Sequence, residues 1–533
     1  MPQAAYDAQQ LNTGCMDGTR KSILSEISSW IKNPDAQQVC WLTGKAGSGK
    51  TSIAKTVCME AKKDTAVVLG GSFFCSRLTG LAAQRDVRCV VPTLAQYLAL
   101  ESAEFRHALA QMFENNTDLQ YKEVAVQVAQ LLRTPLLALK KSRVPVLFVI
   151  DAIDECGGGS FEDDTNSHHV VRSVLEALFN LPPSDSEPVV KFLVTSRPEA
   201  HIRDTFIANK DCSLILQLSC LDKEEVDADI QRYLTETLAM KFATKTNFNI
   251  IFTKSEIERL VRFCDGLFIV ATISVGHTFV KGAEAAEARF TELLNASGDC
   301  MNATAAKPLD HMYRRILEDA TREDEPGGTE LQALLRLLAS LLSTRITLSI
   351  AALADLLGWK PFHIRASLSL LHSVIYVPED NEAPGLRTVH ASFGDYLLAR
   401  APDHIRIPPS HGHDTLAHAC LDLMNNLLHF NISQSRSSYK PNPSTRPAGI
   451  TPALEYACLH WVHHAAYVSN PNDDTEHRAI DREIDRKFRP KFLFWLEVLS
   501  VLGKVSLASG LLLIAASDVS CIPEDSVNLL NTL

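Results

Sequence analysis

Several features that mark secreted or nucleic-acid-binding chains are missing from this 533-residue sequence. Its thirteen cysteines include no C-x-x-C pair and are odd in number, which predicts free thiols in a reducing compartment. The first twenty residues hold no apolar segment of the kind that a secretory signal needs. The formal net charge is −11, and no strong basic stretch offsets it, as phosphate contacts would require. We therefore expect a cytoplasmic protein with no nucleic acid among its partners.

A long uninterrupted hydrophobic run is also missing. The most apolar stretch, Phe492–Ala516, is interrupted by Glu497 and Lys504, and its uninterrupted part, Val505–Ser517, has thirteen residues. A membrane-spanning helix needs about 20. We therefore expect buried core helices in this stretch and no membrane span.

What the sequence does contain is a glycine-rich loop between a strand pattern and a helix pattern. The apolar run Val39–Thr43 precedes it, and Ser52–Lys62 is compatible with a helix. The spacing fits G-x-x-x-x-G-K-[ST], in which glycines turn backbone amides towards phosphates and the helix adds its positive dipole end. We expect Lys50 to reach the β- and γ-phosphates and Thr51 to bind Mg²⁺. The expected cradle comprises Gly44, Lys45, Ala46, Gly47, Ser48, Gly49, Lys50, Thr51 and Ser52.

The region from residue 38 to 218 alternates apolar, β-branched runs with helical patterns. Such alternation is typical of a parallel sheet with helices on both faces, since strands covered on both sides read as nearly continuous hydrophobic runs. It predicts an α/β P-loop NTPase core. The strand-like runs are Val39–Thr43, Ala66–Cys75, Val144–Ile150, Val189–Thr195 and Leu214–Leu218.

After residue 220 the strand pattern mostly disappears. Helical periodicity continues to about residue 320, and the loop Thr321–Gly328 predicts a boundary. Three helical stretches and two short strands around a turn then favour a winged-helix module, and further helices follow it. The predicted division is an N-terminal segment and helix (1–37), a P-loop NTPase domain (38–218), an all-α helical domain (219–320), a winged-helix domain (328–402) and a C-terminal helical domain (405–533).

A second nucleotide-site pattern is a buried strand followed by Asp151, Asp154 and Glu155. A carboxylate at the end of such a strand is what Mg²⁺ needs beside a P-loop, and Asp151 has that position. Asp154 and Glu155 lie one short turn further on, where one of them could orient or deprotonate a water facing the γ-phosphate. The alternative is a strand followed by ordinary surface acids. The distance of about 100 residues from Lys50 and the second acidic pair favour the metal site.

A third pattern places Arg197 directly after the strand-like run that ends at Thr195. A guanidinium there could read the γ-phosphate through a forked pair of hydrogen bonds. The alternative is an arginine that pairs with surface acids.

These three patterns, in this order, resemble the NACHT branch of the STAND P-loop NTPases. The similarity covers residues 10–400 best. Phe73–Arg77, Ile150–Cys156 and Thr195–Glu199 are similar to segments of NACHT proteins that are abundant in filamentous and mushroom-forming fungi. The resemblance implies ATP or ADP with Mg²⁺ as ligands, with ATP preferred over GTP.

The resemblance also implies nucleotide contacts outside the core patterns. Cys15–Arg20 is similar to the segment that helps to close the adenine pocket, which implies a role for Thr19 and Arg20. His390–Leu397 resembles the winged-helix motif whose histidine contacts the β-phosphate in the closed state. That implies the same role for His390, whereas a lone histidine would more often belong to the core or the surface.

One segment departs from the family pattern. Asp265–Val270 resembles the helical-domain segment that touches the base, but Phe268 or Ile269 stands where many relatives carry a proline. No nucleotide contact is assigned there. A cluster rich in histidine and cysteine is interpreted as core packing, because its spacings match no common zinc site; its members are His411, His413, His418, Cys420, Cys458, His460, His463 and His464.

The function implied by the resemblance is a nucleotide-operated signalling switch. The diphosphate form would be closed through His390, and the triphosphate form would be open and able to self-associate in a defence-like or incompatibility pathway. Slow hydrolysis would reset it. A turning-over enzyme, such as a remodelling ATPase or a small-molecule kinase, is an alternative. A scaffold that binds nucleotide without hydrolysis is another, which the presence of Asp151, Asp154 and Glu155 disfavours.

Overall fold

The computed structural model falls into two compact units, Met1–Met312 with His390–Ser392 and Tyr313–Val389 with Phe393–Leu533. Each is described by itself. The residues that the structure describes are 4–6, 14–77, 82–116, 118–119, 122–139, 144–156, 164–180, 189–245, 252–282, 285–302, 307–321, 328–435, 442, 447–468 and 480–518.

A five-stranded, entirely parallel sheet forms the centre of the first unit. Its strands are Val39–Thr43 (β1), Val68–Phe74 (β2), Val146–Asp151 (β3), Val190–Ser196 (β4) and Ser213–Gln217 (β5). Their order in the sheet is β2-β3-β4-β1-β5, so the strand before the glycine loop lies inside the sheet between β4 and β5. All five strand-like runs of the sequence are strands, with ends shifted by up to two residues.

Both faces of this sheet are buried. Along β3 the side chains of Val146, Phe148 and Ile150 enter one hydrophobic cluster, and those of Leu147 and Val149 enter the other. The first cluster is completed by the helices that follow β2 and β3, and the second by the helices on either side of β1. The predicted core, a parallel sheet with helices on both faces, is confirmed.

The helices between residues 21 and 320 cover the sheet and then continue beyond it. Those between β2 and β3 were not predicted one by one. A π-helical stretch, Val128–Arg133, lies within that group. The α-helices are Lys21–Lys32, Lys50–Lys63, Ala82–Arg85, Val90–Glu101, Ala103–Asn115, Val124–Gln127, Thr134–Leu136, Asp164–Phe179, Ala200–Ala208, Lys223–Lys245, Lys254–Cys264, Phe268–Thr278, Ala286–Asn302 and Pro308–Ala320.

In the described residues of the second unit, the regular structure consists of helices and one antiparallel hairpin. The hairpin strands are only two residues long, Ile375–Tyr376 (β6) and Arg387–Thr388 (β7), and they follow three helices. This order is the one that a winged-helix module requires, and the module and the domain boundaries stay predictions. The helices are Thr329–Ser343, Ile350–Leu357, Pro361–Leu368, Ala391–Asp395, Pro409–Leu427, Pro452–Val468, Phe492–Val501 and Ala508–Asp518.

The most apolar stretch of the sequence forms two short helices, Phe492–Val501 and Ala508–Asp518. Trp495 and Leu499 of the first are fully buried, as expected of core helices. Within the described part of the chain, none of the helices is both long and hydrophobic enough to cross a bilayer. The predicted boundary at Thr321–Gly328 lies mostly outside the described residues.

Candidate nucleotide site

The glycine loop connects the end of β1 to the helix Lys50–Lys63. Gly47 has a φ of +78° and Gly49, directly ahead of the helix, a φ of +95°. Residues with a Cβ are strained in this left-handed region, so the loop needs glycine at both positions. The amides of the first turn of a helix have no acceptor within the helix, so the start of Lys50–Lys63 can bind an anion.

Lys50 is the first residue of that helix, and its side chain folds back over the loop. Its Nζ donates hydrogen bonds to the carbonyl oxygens of Gly44 and Lys45, at 2.8 and 3.0 Å. Burial lowers the pKa of Lys50, and the charges of Asp154 and Asp151 oppose that shift. The ammonium is thus held at the loop, within the field of Asp151 and Asp154.

Asp151 ends β3 and is buried between two hydroxyl donors. Thr195 Oγ1 of the neighbouring β4 donates to its Oδ1 at 2.6 Å, and the Thr51 hydroxyl donates to the same carboxylate. Burial raises the pKa of Asp151 to about 6, and the two hydroxyls and Lys50 counteract the rise. The structure thus brings Lys50, Thr51 and Asp151 together at one edge of the sheet.

Asp154 and Arg197 form an ion pair beside this group. The Arg197 backbone N–H donates to Asp154 Oδ1 at 3.1 Å, and its Nε lies 3.4 Å from Oδ2. Asp154 is buried, so this is a desolvated partner and not one of the surface acids of the alternative interpretation. Arg77, from the end of β2, donates from its guanidinium to the Asp154 carbonyl oxygen at 2.8 Å.

Glu155 is half-buried next to Asp154. Burial, and then the negative charge of Asp154, raise the pKa of its carboxyl to about 7. The backbone N–H of Arg77 donates to Glu155 Oε2 at 3.2 Å. Glu155 is therefore the acid of this group that can exchange a proton near neutral pH, because its pKa lies there.

Arg20 links three separate segments around the loop. Its guanidinium donates to the carbonyl oxygen of Ser48 at 2.8 Å, and its backbone N–H donates to Asp229 at 2.8 Å. The guanidinium also lies over the ring of Phe268, 4.7 Å from the centroid. Thr19 is buried beside it and donates to the Met16 carbonyl oxygen at 2.7 Å.

A contact that sequence reasoning left unassigned joins the loop to the helix Phe268–Thr278. The Ile269 backbone N–H donates to the Gly47 carbonyl oxygen at 3.2 Å. A Cβ built on Gly47 would lie 2.0 Å from Ile269 Cγ2, so the two segments approach closely. The resemblance points to this segment, and Ile269, one of the two residues that stand where many relatives carry a proline, contacts the loop itself.

His390 lies just after β7, and the short segment His390–Ser392 belongs to the first unit. Its Nδ1 accepts a hydrogen bond from the Ser392 backbone N–H at 3.1 Å and lies 2.6 Å from Ser392 Oγ. This arrangement fixes the ring. The role of His390 towards a phosphate stays a prediction.

Sequence reasoning did not select Thr195, Arg77 and Asp229 as site residues, although the structure places them there. Thr195 and Arg77 stand in the quoted strand-end segments, so polar residues at the ends of adjacent strands were a usable signal. Asp229 lies on the helix Lys223–Lys245, about 200 residues from its partner Arg20. No spacing in the sequence could have connected those two.

The sheet order, the loop and the residues gathered at it are those of a P-loop NTPase, a nucleotide-binding protein. Residues 18–197 match the family described as Nephrocystin 3, N-terminal. The chain is 23% identical over 503 residues to the vegetative incompatibility protein HET-E-1 of Podospora anserina. That alignment covers 90% of this chain and 34% of the relative, so the chain spans about a third of the relative's length.

Two solved structures also align with the chain. A STAND protein with a tetratricopeptide repeat sensor from Pyrococcus horikoshii aligns at 13% identity and a TM-score of 0.41, over 99% of this chain and 62% of its own. ORC2 of Aeropyrum pernix aligns at 13% identity and a TM-score of 0.32, over 78% of this chain and 96% of its own. The motifs, the family match over residues 18–197 and the alignment with HET-E-1 together make this chain similar to the NACHT/STAND, NLR-like P-loop NTPases.

Proposed function

We propose that this chain is a nucleotide-operated signalling switch that binds ATP and ADP with Mg²⁺ and hydrolyses ATP slowly. The observation that carries the proposal is the convergence of Lys50, Thr51 and Asp151 at the glycine loop, with the pair of Asp154 and Arg197 beside them. A switch needs a group whose contacts differ between the diphosphate and triphosphate forms, and this pair supplies one.

The donor set at Thr51 and Asp151 fits Mg²⁺. A hydroxyl and a carboxylate, which share a hydrogen bond at the end of the sheet, are hard oxygen donors of the kind that Mg²⁺ prefers. When bound, Mg²⁺ offsets the negative charge of the β- and γ-phosphates. Thr195 orients Asp151 from β4 through the 2.6 Å hydrogen bond.

The remaining residues bind and position. In the proposed mechanism Lys50 exchanges its two loop carbonyls for phosphate oxygens. The Arg197 guanidinium leaves Asp154 and binds the γ-phosphate. Glu155, whose pKa is raised to about 7, is the residue proposed to accept the proton of the attacking water. Since ADP has no γ-phosphate, only ATP can compete with Asp154 for Arg197. The free-energy difference between the two states comes from that exchange.

The signalling role is supported by the relative's name. HET-E-1 is a vegetative incompatibility protein, and the alignment covers nearly all of this chain. We extend to this chain an incompatibility-like role with nucleotide-dependent self-association, in which His390 contacts the β-phosphate of the closed form. A cytoplasmic location, ATP preference and the absence of nucleic acid from its partners are further parts of the proposal.

The first experiment measures nucleotide binding directly. Purified full-length chain is analysed by mass spectrometry for retained nucleotide, and the affinities for ATP and ADP are then measured. Lys50→Ala should weaken both at least tenfold, because an ammonium in contact with the β-phosphate, which ATP and ADP share, is lost. Lys63→Ala, an exposed lysine at the end of the same helix, is the matched control and should bind normally. An unchanged affinity in Lys50→Ala would refute the site.

A second experiment separates the switch from a turning-over enzyme. The steady-state rate should lie well below the roughly 1–10³ per second of typical enzymes. The particle size, measured with ADP and with a non-hydrolysable ATP analogue, should be larger with the analogue. Fast hydrolysis that a partner protein stimulates would instead indicate a remodelling ATPase.

A further inference from the structure

Two histidines and a glutamate lie together at the ends of two helices of the first unit. His168 is in the first part of the helix Asp164–Phe179, His201 is in the first turn of Ala200–Ala208, and Glu199 directly precedes the second helix. One potential ligand atom of each lies within 4.8 Å of the others. Glu199 Oε2 is 3.9 Å from His201 Nδ1. None of the nucleotide-site roles above uses these three side chains.

The packing of the two helices holds the group in place. Val171, Val174, Ile202 and Phe206 share one hydrophobic cluster, and Phe179 meets Phe206 edge to face with the centroids 5.3 Å apart. The imidazoles of His168 and His201 stack with centroids 4.0 Å apart. His168 is exposed and the other two side chains are half-buried, so a cation from solvent can reach them.

The donor types match one class of metal ion. Two imidazoles and one carboxylate, with a position left open for water, form the donor set of many Zn²⁺ sites and differ from the all-oxygen sets of Mg²⁺ and Ca²⁺. Ligands at about 2.1 Å from Zn²⁺ in a tetrahedron lie about 3.4 Å apart. The observed spread of up to 4.8 Å must therefore close by about 1.4 Å, which side-chain rotation of the exposed His168 can supply.

We propose that His168, Glu199 and His201 bind a divalent transition-metal cation of the Zn²⁺ class, with water as the fourth ligand. The site is distinct from the Mg²⁺ position at Thr51 and Asp151 in residues and in donor chemistry. It adjoins the nucleotide site along the chain, since Glu199 is two residues after Arg197. The bound ion fixes the start of the helix Ala200–Ala208 and, with it, the segment that carries Arg197.

The test is a metal titration of the full chain after treatment with a chelator. Zn²⁺ affinity is measured by competition with a chromophoric chelator, and Co²⁺ is used for its visible spectrum. Ala substitution of His168 or His201 should weaken Zn²⁺ binding at least tenfold. His169→Ala is the matched control, because His169 is the exposed neighbour on the same helix and is outside the group. It should bind as the parent does.

Two further measurements keep the outcome decisive. Glu199→Gln conserves size and should also weaken Zn²⁺ binding, and thermal melts of all variants identify any that fail to fold. The Co²⁺ spectrum should lack the intense charge-transfer bands of thiolate ligation. The presence of such bands would show that cysteines, such as the exposed Cys212 and Cys220, bind the metal, and it would overturn the proposal. Equal affinity in all variants would also overturn it.

The metal site and the nucleotide site can fail separately. Lys50→Ala should bind Zn²⁺ as tightly as the parent, since Lys50 supplies no ligand to the group. Loss of nucleotide binding with unchanged Zn²⁺ binding in that variant supports both assignments. If His168→Ala keeps full Zn²⁺ affinity and Lys50→Ala still loses nucleotide, the metal site is wrong and the nucleotide site stands.

Discussion

Asp154 and Glu155, the two acids that follow β3, differ in their hydrogen-bond and ion-pair partners. Asp154 is buried against Arg197 and also receives the Arg197 backbone N–H, so its charge is committed to an ion pair. The carboxyl of Glu155 faces no comparable ion pair among the described contacts, and its pKa is raised to about 7. Neighbouring acids in different surroundings commonly take different catalytic roles.

Glu155→Gln should lower the hydrolysis rate about 100-fold or more, because it removes the proposed proton acceptor. The affinity for ATP should change less than threefold, since the amide keeps the acceptor oxygen for the Arg77 backbone N–H. Single-turnover hydrolysis and equilibrium binding separate the two quantities. If Glu155→Gln hydrolyses at the parental rate, Glu155 is not the base.

Magnesium dependence should vary with pH through Asp151. Its pKa of about 6 in the structure lies above the usual value, so at lower pH a proton competes with Mg²⁺ for the carboxylate. Below pH 6 the affinity for Mg²⁺ in the nucleotide complex should fall by about tenfold per pH unit. Mg²⁺ titrations from pH 5 to 8 test this. Asp151→Asn should remove both the tight Mg²⁺ binding and its pH dependence.

The elements of the core could be predicted because their patterns are local. Five runs of β-branched residues identify β1 to β5, and the glycine spacing identifies the loop. The hairpin strands β6 and β7 are two residues long, whereas the strand-like runs of the sequence are Val374–Val377 and Leu386–His390. The contact of Ile269 with Gly47 could not be predicted. It depends on how the helix Phe268–Thr278 packs, and no local preference encodes that.

The close approach of the helix Phe268–Thr278 to the glycine loop predicts different losses of stability when two glycines of the loop are substituted. Gly47→Ala and Gly49→Ala should each lower the free energy of unfolding by about 1–2 kcal/mol, because alanine is strained at the positive φ of both positions. Gly47→Ala should lose about 1–3 kcal/mol more, because its Cβ would overlap Ile269, whereas the Cβ of Gly49 meets no atom within 4 Å. Urea denaturation of nucleotide-free protein tests this difference.

Gly49→Ala is thus the matched control, with the same backbone strain and open space. Ile269→Ala in the Gly47→Ala background should restore part of the loss, because it removes the overlapping methyl groups. Equal costs at the two glycines would contradict the observed approach of Ile269 to the loop.

For the whole molecule, the response to acid should be governed by four histidines of the second unit, of which His464 is buried and the other three are half-buried. His413 Nδ1 lies 2.9 Å from His464 Nδ1, and His464 Nε2 lies 2.7 Å from the Tyr456 hydroxyl. Burial lowers the pKa of His413 and His463 to about 4 and of His460 to about 3, and it places that of His464 well below its usual value. The charge of Arg345 lowers all four further.

These shifts predict a loss of stability in mild acid. An unfolded histidine binds its proton near pH 6.5 and the native one only near pH 4, so the unfolded state gains protons as the pH falls. Each such group costs about 1.4 kcal/mol per pH unit between roughly pH 6 and pH 4. Urea denaturation from pH 7.5 to 5 should show this slope. The stability that these neutral native histidines contribute is fully present above pH 6.5.

His460→Leu provides the test variant. His460 Nδ1 is buried without a hydrogen-bond partner among the described residues, so an apolar side chain should be tolerated there. The variant should reduce the slope by about 1.4 kcal/mol per pH unit. His429→Leu, at an exposed position of the same unit, should leave the slope unchanged. If both variants give the parental slope, His460 does not contribute to acid sensitivity.

Arg20 has a consequence for how the first unit moves. A single residue is bonded to the phosphate loop at Ser48, to a later helix at Asp229 and to the ring of Phe268. Because one guanidinium makes both contacts, an opening that moves it off the Ser48 carbonyl also removes it from the ring of Phe268, more than 200 residues further along the chain. A nucleotide that rigidifies the loop should accordingly also rigidify the start of the helix Phe268–Thr278.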